Sequence, residues 1–172
     1  MRLFSTLLLL ATPALLAQSP MVKIFDGQVK MVESEVTALA EAMPADKFGF
    51  APTAGEFKGV RTFGEQAKHI AETNYEVAGA ILGEKPDAPN PKNLKSKDEI
   101  VAYLKASLVY AHKAVAAINN DNAFEEVQSP FGSGKTTRAY LGSVFAWHSM
   151  DHYGQMVVYA RMNGVIPPAS KN

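Results

Sequence analysis

Apolar residues recur at intervals of three and four along four segments of the chain, which is the pattern of amphipathic helices. The segments are separated by stretches rich in glycine, proline, asparagine and charge, which favour loops. The predicted helices occupy residues 21–43, 62–82, 96–118 and 137–163. The sequence therefore predicts an all-α protein in which four helices form a bundle.

Start and stop signals bound these helices. Thr62 and Ser96 are each followed by a glutamate at the third position, a capping box that satisfies backbone N–H groups at the start of a helix. Pro44 and Gly83 end the first two helices. Gly164 offers the left-handed conformation that closes the fourth. These signals place both ends of the second helix and the end of the fourth.

Two linkers, residues 44–61 and 83–95, are long for simple connections between neighbouring helices. The first contains Phe48, Phe50 and Phe57 in an otherwise polar stretch. One interpretation is that the linkers arch over one end of the bundle and line a site there.

Composition limits the classes of partner. The chain has 172 residues, of which 47% are hydrophobic, enough for one globular domain with a core. Lysine plus arginine and aspartate plus glutamate number 17 each, so no net charge draws the protein to nucleic acid or anionic lipid. No cysteine occurs, so any metal is expected to be bound by nitrogen and oxygen atoms.

The first 17 residues have the pattern of a secretory signal peptide. A basic start, Met1-Arg2, precedes an apolar stretch that ends in small residues. This stretch is shorter than the about 20 helical residues that span a bilayer. We expect cleavage after Ala17, which leaves residues 18–172 as a single domain exported to the periplasm or the medium. No membrane anchor is expected to remain after cleavage.

His148 and His152 stand four residues apart in the fourth predicted helix. At this spacing the side chains leave the helix about 40° apart and one turn apart along its axis, so two imidazoles can bind one ion. Neutral imidazole nitrogen suits zinc, nickel, iron or copper. The alternative is that both rings lie at a bundle surface or make hydrogen bonds in the core. Core positions surround His152, and an imidazole buried without a partner is costly, which favours the metal.

The third ligand has two candidates in the sequence. His69 lies in the second predicted helix and His112 in the third. Spacing alone does not choose between them. A solvated or structural role is the simpler interpretation for His112, which stands beside Lys113.

Two segments of the chain carry a family pattern. Residues 148–155 read His-Ser-Met-Asp-His-Tyr-Gly-Gln, and residues 159–164 are followed by Pro167-Pro168. These segments resemble the last helix of the DinB/YfiT-like family of metal-dependent enzymes. Residues 62–71 resemble the second helix of that family, in which its first metal histidine matches His69.

The resemblance implies an antiparallel four-helix bundle, often dimeric, in which His69, His148 and His152 hold a divalent ion. One coordination position is left open to water or substrate. Zinc or nickel is the expected ion, with iron or manganese as alternatives. Gln155 takes an outer role beside the metal in the family pattern, whereas Asp151 turns away from the metal face of the helix.

The characterised relatives include transferases and an isomerase that use low-molecular-weight thiols such as bacillithiol or mycothiol. Those thiols are cytoplasmic, whereas this chain carries an export signal. This difference argues against thiol transfer as the reaction of this chain. It does not change the predicted metal site.

Two other patterns are interpreted as structural. Residues 132–137, Gly-Ser-Gly-Lys-Thr-Thr, resemble part of a phosphate-binding loop, but Ser129 stands where that motif needs glycine. A turn that leads to the N-cap of the fourth helix is the favoured interpretation. The aromatic residues Tyr140, Phe145 and Trp147 are assigned to core packing.

The sequence thus predicts a metal-dependent enzyme in which the ion activates water or a thiol for transfer or hydrolysis on a small substrate. No catalytic side chain is assigned beyond the metal ligands. The alternatives are a non-catalytic exported metal-binding or stress-related bundle, and a structural bundle with three incidental histidines. Partners are expected to be a small molecule and, as the resemblance implies, a second copy of the chain.

Overall fold

The computed structural model describes residues 19–171, so the predicted leader and its cleavage bond lie outside the described residues. Most of this part of the chain is helical, in agreement with the all-α prediction. The helices are α1, Pro20–Ala42; α2, Phe63–Leu82; α3, Lys97–Ala116; and α4, Arg138–Met162. The predicted bounds agree to within about two residues. Within residues 19–171, no helix is both long enough and apolar enough to cross a membrane.

The chemistry of the helix ends follows the sequence signals. Thr62 Oγ1 accepts a hydrogen bond from the Glu65 backbone N–H at 3.3 Å, and Glu65 Oε2 accepts one from the Thr62 N–H at 2.8 Å. Ser96 and Glu99 form the same reciprocal pair at the start of α3. Gly164 follows α4 with a φ of 73°, which disfavours any residue with a side chain. The two helices that carry the predicted metal ligands are therefore well bounded.

The four helices share one apolar core. α1 and α2 each pack against both α3 and α4. The largest fully buried apolar side chains are Leu39, Met43, Phe63, Ile70, Ile81, Leu104, Leu108, Ile118, Leu141, Phe145 and Met156. Burial of one such side chain stabilises the fold by about 1.5–3 kcal/mol, so this core fixes the position of α2 against α4.

The first long linker packs over the start of α2. The Phe50 carbonyl accepts the Phe63 N–H at 2.9 Å, and the Phe48 carbonyl accepts the Gly64 N–H at 2.8 Å. A Cβ atom at Gly64 would lie 3.1 Å from the Phe48 ring, so the close approach favours glycine. Phe48 is buried, whereas Phe57 is 41% exposed. Two of the three predicted linker aromatics therefore close the core, and Phe57 does not.

A small antiparallel hairpin precedes α4 and was not predicted. Its strands are β1, Glu126–Gln128, and β2, Lys135–Thr137, with Glu126 paired to Thr137. Each strand has three residues, too few for an alternating pattern to stand out in the sequence. Lys135 Nζ lies 3.5 Å from Glu126 Oε2 across the hairpin. The glycine-rich segment is thus a hairpin turn and its second strand.

The assignment of three α4 aromatic residues to the core is correct for Phe145 only. Phe145 is buried, whereas Tyr140 is 52% exposed and Trp147 is 51% exposed. The assignment was wrong for these two because α4 carries apolar side chains around its whole circumference. Hydrophobic periodicity therefore cannot separate its buried face from its exposed face.

Candidate metal centre

Three histidines meet between α2 and α4. His69 comes from α2, and His148 and His152 come from successive turns of α4. One ring nitrogen from each lies within 4.8 Å of the others. The ring centroids are 5.0 Å apart for His69 and His148, 4.7 Å for His69 and His152, and 4.6 Å for His148 and His152. The packing of α2 beside α4, on which the prediction of His69 depended, is present.

The spacing of the nitrogens suits a single ion. His148 Nε2 lies 3.2 Å from His69 Nε2. Two nitrogens bound to one tetrahedral zinc at 2.0–2.1 Å would be about 3.3 Å apart. Among residues 19–171, no aspartate, glutamate or further histidine joins the three in a ligand group. The three imidazoles are therefore positioned to bind a metal ion.

The electrostatic surroundings keep the rings neutral. Burial, followed by the charge of Arg61 and the His152 ring, lowers the pKa of His69 to about 4. Burial and the two neighbouring rings likewise lower the pKa of His148 to about 4. Burial also lowers the pKa of His152, against the opposing effect of the Asp151 carboxylate. At neutral pH the rings are thus unprotonated bases, the form in which imidazole binds metals.

A chain of hydrogen bonds fixes the tautomer of His152. The Asp151 carboxylate can only accept, so the amide nitrogen of Gln155 donates to it, at 3.4 Å. Gln155 then presents its oxygen to the amide nitrogen of Gln66, at 2.9 Å. The Gln66 oxygen in turn lies 2.7 Å from His152 Nδ1, which must donate. Nε2 of His152 therefore carries no proton, and its lone pair is available to a metal. Other histidine ligands are held in the same way by a hydrogen bond to their second nitrogen.

Gln66 is the site residue that sequence reasoning missed. It stands three residues before His69 on α2, so the two side chains leave the helix on nearly the same side. Its side chain is 2% exposed, and a buried amide requires partners. The predicted outer residue, Gln155, contacts Gln66 rather than a histidine. The sequence signal that could have identified it is a polar residue about one helical turn before the candidate ligand His69.

The remaining sequence candidates lie apart from the cluster. His112 is on α3, where its Nδ1 lies 2.7 Å from Asp26 Oδ1 and its Nε2 lies 3.5 Å from Glu33 Oε2. This is the structural role that the sequence favoured for His112. Asp151 is exposed, as expected, although its contact with Gln155 ties it to the hydrogen-bond chain.

Two further side chains border the cluster. The Thr73 hydroxyl, buried in α2, lies 3.4 Å from His148 Nε2. The half-exposed Trp147 ring lies with its centroid 6.0 Å from that of the His148 ring. Trp147 is the only tryptophan of the chain, so its fluorescence reports on this region.

A family model described as the DinB superfamily matches residues 28–156, most of the chain. All three clustered histidines and Gln66 lie inside the matched region. A search of curated proteins gives no significant match.

Proposed function

Because the chain belongs to the DinB superfamily, we propose that it is a metal-dependent enzyme whose divalent ion is held by His69, His148 and His152. One observation carries the proposal: three neutral imidazoles approach one another without a fourth histidine, aspartate or glutamate among residues 19–171. Structural metal sites are closed by four protein ligands, whereas catalytic sites keep a position open. With three protein ligands, the cluster resembles a catalytic site rather than a structural one.

The chain's own residues have defined tasks in this proposal. His69, His148 and His152 hold the ion, and Gln66 orients the His152 ring by accepting a hydrogen bond from its Nδ1–H. When bound, the ion supplies Lewis-acid activation of water or a thiol, for transfer to or hydrolysis of a small substrate. The buried Thr73 hydroxyl is close enough to the cluster to accept or donate a hydrogen bond there.

The three imidazole nitrogens limit which metal ions the site is expected to bind. Three imidazole nitrogens suit first-row divalent ions, and we propose zinc or nickel, with iron or manganese as alternatives. The chain offers no thiolate that would select a softer ion.

We further propose that the helices run as an antiparallel bundle and that the mature domain, residues 18–172, is exported after removal of the leader. The contacts of α1 and α2 with both α3 and α4 support a bundle, and the family resemblance supports the antiparallel course of its helices. The basic and apolar character of the first 17 residues supports the second.

The enzymatic proposal is tested by turnover of the metal-loaded protein. Zinc- and nickel-loaded protein would be assayed against panels of activated esters and of small electrophiles supplied with a thiol. We expect turnover that His148→Ala abolishes and His112→Ala retains. Full metal loading with no turnover on any member, and no solvent water exchanging at a paramagnetic ion in the site, would instead identify a non-catalytic metal-binding bundle.

A further inference from the structure

A cleft of about 550 Å³ lies between α2, α3 and the loop that joins them. Tyr75 of α2 and Ala106, Val109 and Tyr110 of α3 form its apolar and aromatic wall. A volume of this order suits a small molecule. Among the described residues, none of α4 and none of the three clustered histidines lines it. The cleft is therefore separate from the candidate metal centre.

The wall of this cleft is held in place by contacts between its side chains. The Tyr75 ring packs against two rings of α3, with centroid distances of 5.2 Å to Tyr103 and 5.7 Å to Tyr110. On the loop, Glu84 Oε1 accepts hydrogen bonds from the Tyr110 hydroxyl at 2.9 Å and from Lys113 Nζ at 2.7 Å. These contacts join both helices and the loop, so the cleft is formed before any ligand arrives.

The Tyr75 hydroxyl is the polar group that this wall leaves without a partner. The residue is only 8% exposed, and within residues 19–171 its hydroxyl makes no hydrogen bond to protein. It is not among the polar atoms that are sealed from solvent. Buried hydroxyls are normally hydrogen-bonded, and this one can both donate and accept. A ligand in the cleft can supply the missing partner.

The charges that line the cleft leave one carboxylate beside this hydroxyl. Glu84 and Lys113 neutralise each other, whereas Asp87 and Lys85 form no ion pair within residues 19–171. The Lys85 ammonium is exposed on a flexible stem and can turn into solvent. The Asp87 charge reaches Tyr75, because it raises the pKa of that hydroxyl together with the larger effect of burial. The cleft is thus negative beside Tyr75.

The aromatic rings add to this preference for positive charge. Lys113 Nζ lies 5.4 Å from the centroid of the Tyr110 ring, so an ammonium group already packs on one of these faces. On the far side of Tyr75, the charges of Glu72 and Glu76 contribute to the raised pKa of Tyr103, after burial. Carboxylates therefore surround the stacked rings on more than one side.

We propose that this cleft binds a small organic ammonium ion, with its charge between the Asp87 carboxylate and the Tyr75 hydroxyl. The apolar body of the ligand packs on Ala106 and on Val109, whose side chain is 66% exposed in the absence of a ligand. An anion is repelled by Asp87, and a neutral molecule of the same shape forgoes the ion pair. The site is additional to the metal centre and does not depend on it.

The test titrates the full mature chain with three probes of similar shape: 2-phenylethylamine, which is protonated at neutral pH, neutral 2-phenylethanol and anionic 3-phenylpropionate. Shifts of the Ala106 and Val109 backbone N–H signals in two-dimensional NMR measure the affinities. We expect the amine to bind at least about fivefold more tightly than the alcohol, because an ion pair and a cation–π contact each contribute modestly at a partly exposed site. The carboxylate should bind most weakly.

Variants assign this preference to the cleft. Asp87→Asn, at an exposed loop position, should reduce the preference for the amine to about twofold or less. Asp121→Asn, a matched change at an exposed position outside the cleft, should retain it. Tyr75→Phe should weaken the amine and the alcohol alike, by about two- to tenfold, because both lose a hydrogen bond to the hydroxyl. His148→Ala should change none of these affinities.

The results that would overturn the proposal are equally specific. Equal affinities for amine and alcohol, a preference that survives Asp87→Asn, or no shift at Ala106 and Val109 with any probe would each do so. Loss of amine binding in His148→Ala would show that the cleft is part of the metal centre, which also contradicts the proposal. Circular dichroism of Asp87→Asn checks that this variant is folded.

Discussion

Histidines of this chain occupy two regions that differ in their neighbours. Between α2 and α4, His69, His148 and His152 face one another, and the partner of His152 is an amide oxygen. Between α1 and α3, His112 stands alone between the carboxylates of Asp26 and Glu33. The rings are chemically identical, so the difference between the regions comes from the surrounding residues alone.

That difference distinguishes a candidate metal site from a contact between two helices. The clustered rings are neutral and bring one nitrogen each within 4.8 Å of the others, which favours a cation between them. A single ring between carboxylates has acceptors for both of its nitrogens, which favours a hydrogen-bonded bridge between helices. A histidine is therefore assigned by the groups that its two nitrogens meet, and each prediction below changes one of those groups.

The largest effect is expected from removing a ring of the cluster. His69→Ala or His148→Ala deletes one of three ligands, so zinc affinity should fall by more than the about 100-fold that loss of an outer partner can cost. Titration calorimetry with zinc measures the change. His112→Ala is the matched control, because it deletes an imidazole outside the cluster. A similar loss of affinity in His112→Ala would remove the distinction between the two regions.

Changing the amide partner of His152 should have the next largest effect. Gln66→Leu removes the acceptor for the Nδ1 proton, so zinc affinity should fall by about 10- to 100-fold. Gln66→Glu keeps an acceptor and gives the cluster the carboxylate neighbour that His112 has, so it should bind zinc more tightly than Gln66→Leu. Isothermal titration calorimetry measures the zinc affinity of both variants. Equal affinities would show that Gln66 contributes packing alone and no hydrogen bond that matters for zinc binding.

Acid should destabilise the metal-free protein through the cluster. The pKa of His69 and of His148 is lowered from 6.5 to about 4 in the folded state. Between these values the unfolded chain binds protons that the folded chain does not. The free energy of unfolding therefore falls as pH drops from about 6.5 towards about 4, and these groups have no effect on it above that window.

Urea unfolding of metal-free protein across that pH window checks the sign. The decline should be steeper for wild type than for His148→Leu, which has one fewer ring to protonate. Identical slopes would mean that the rings are already protonated, or solvated, in the folded protein.

The smallest effect is expected at His112. Asp26→Asn weakens a half-buried pair with His112 and an i,i+4 pair with Lys30, and such pairs contribute about 0.2–1 kcal/mol each. The pKa of Asp26 is lowered, foremost by its hydrogen bond with Lys30, so its contribution is present at neutral pH and is lost in acid. Urea unfolding should show this small loss at neutral pH with unchanged zinc affinity. A loss of zinc binding in Asp26→Asn would show that the two regions are coupled, which contradicts their separation.

Much of the fold was open to prediction because its signals are local. Periodicity found α1 to α4, and reciprocal caps such as Thr62 with Glu65 placed the helix starts. The hairpin was missed because its short strands are held by backbone pairing that leaves no side-chain pattern. The end of α3 was placed too late because Ile118 is buried although it lies beyond the helix, in a turn to Val115.

The site was only partly predictable. The spacing of His148 and His152 on one helix is a local signal, so the sequence carries it. The choice of His69 over His112 depends on which helix packs against α4, and family resemblance supplied it. Gln66 could not be identified as a site residue from the sequence, because its role depends on contact with His152, 86 positions away along the chain.

The central claim is tested most directly by elemental analysis of the mature protein, purified without a histidine tag or chelator. Wild type would be compared with His148→Ala and His152→Ala. The account predicts near-stoichiometric zinc or nickel, or another divalent ion, in wild type and its loss in both variants. A metal-free wild type that also fails to bind added zinc or nickel would contradict it.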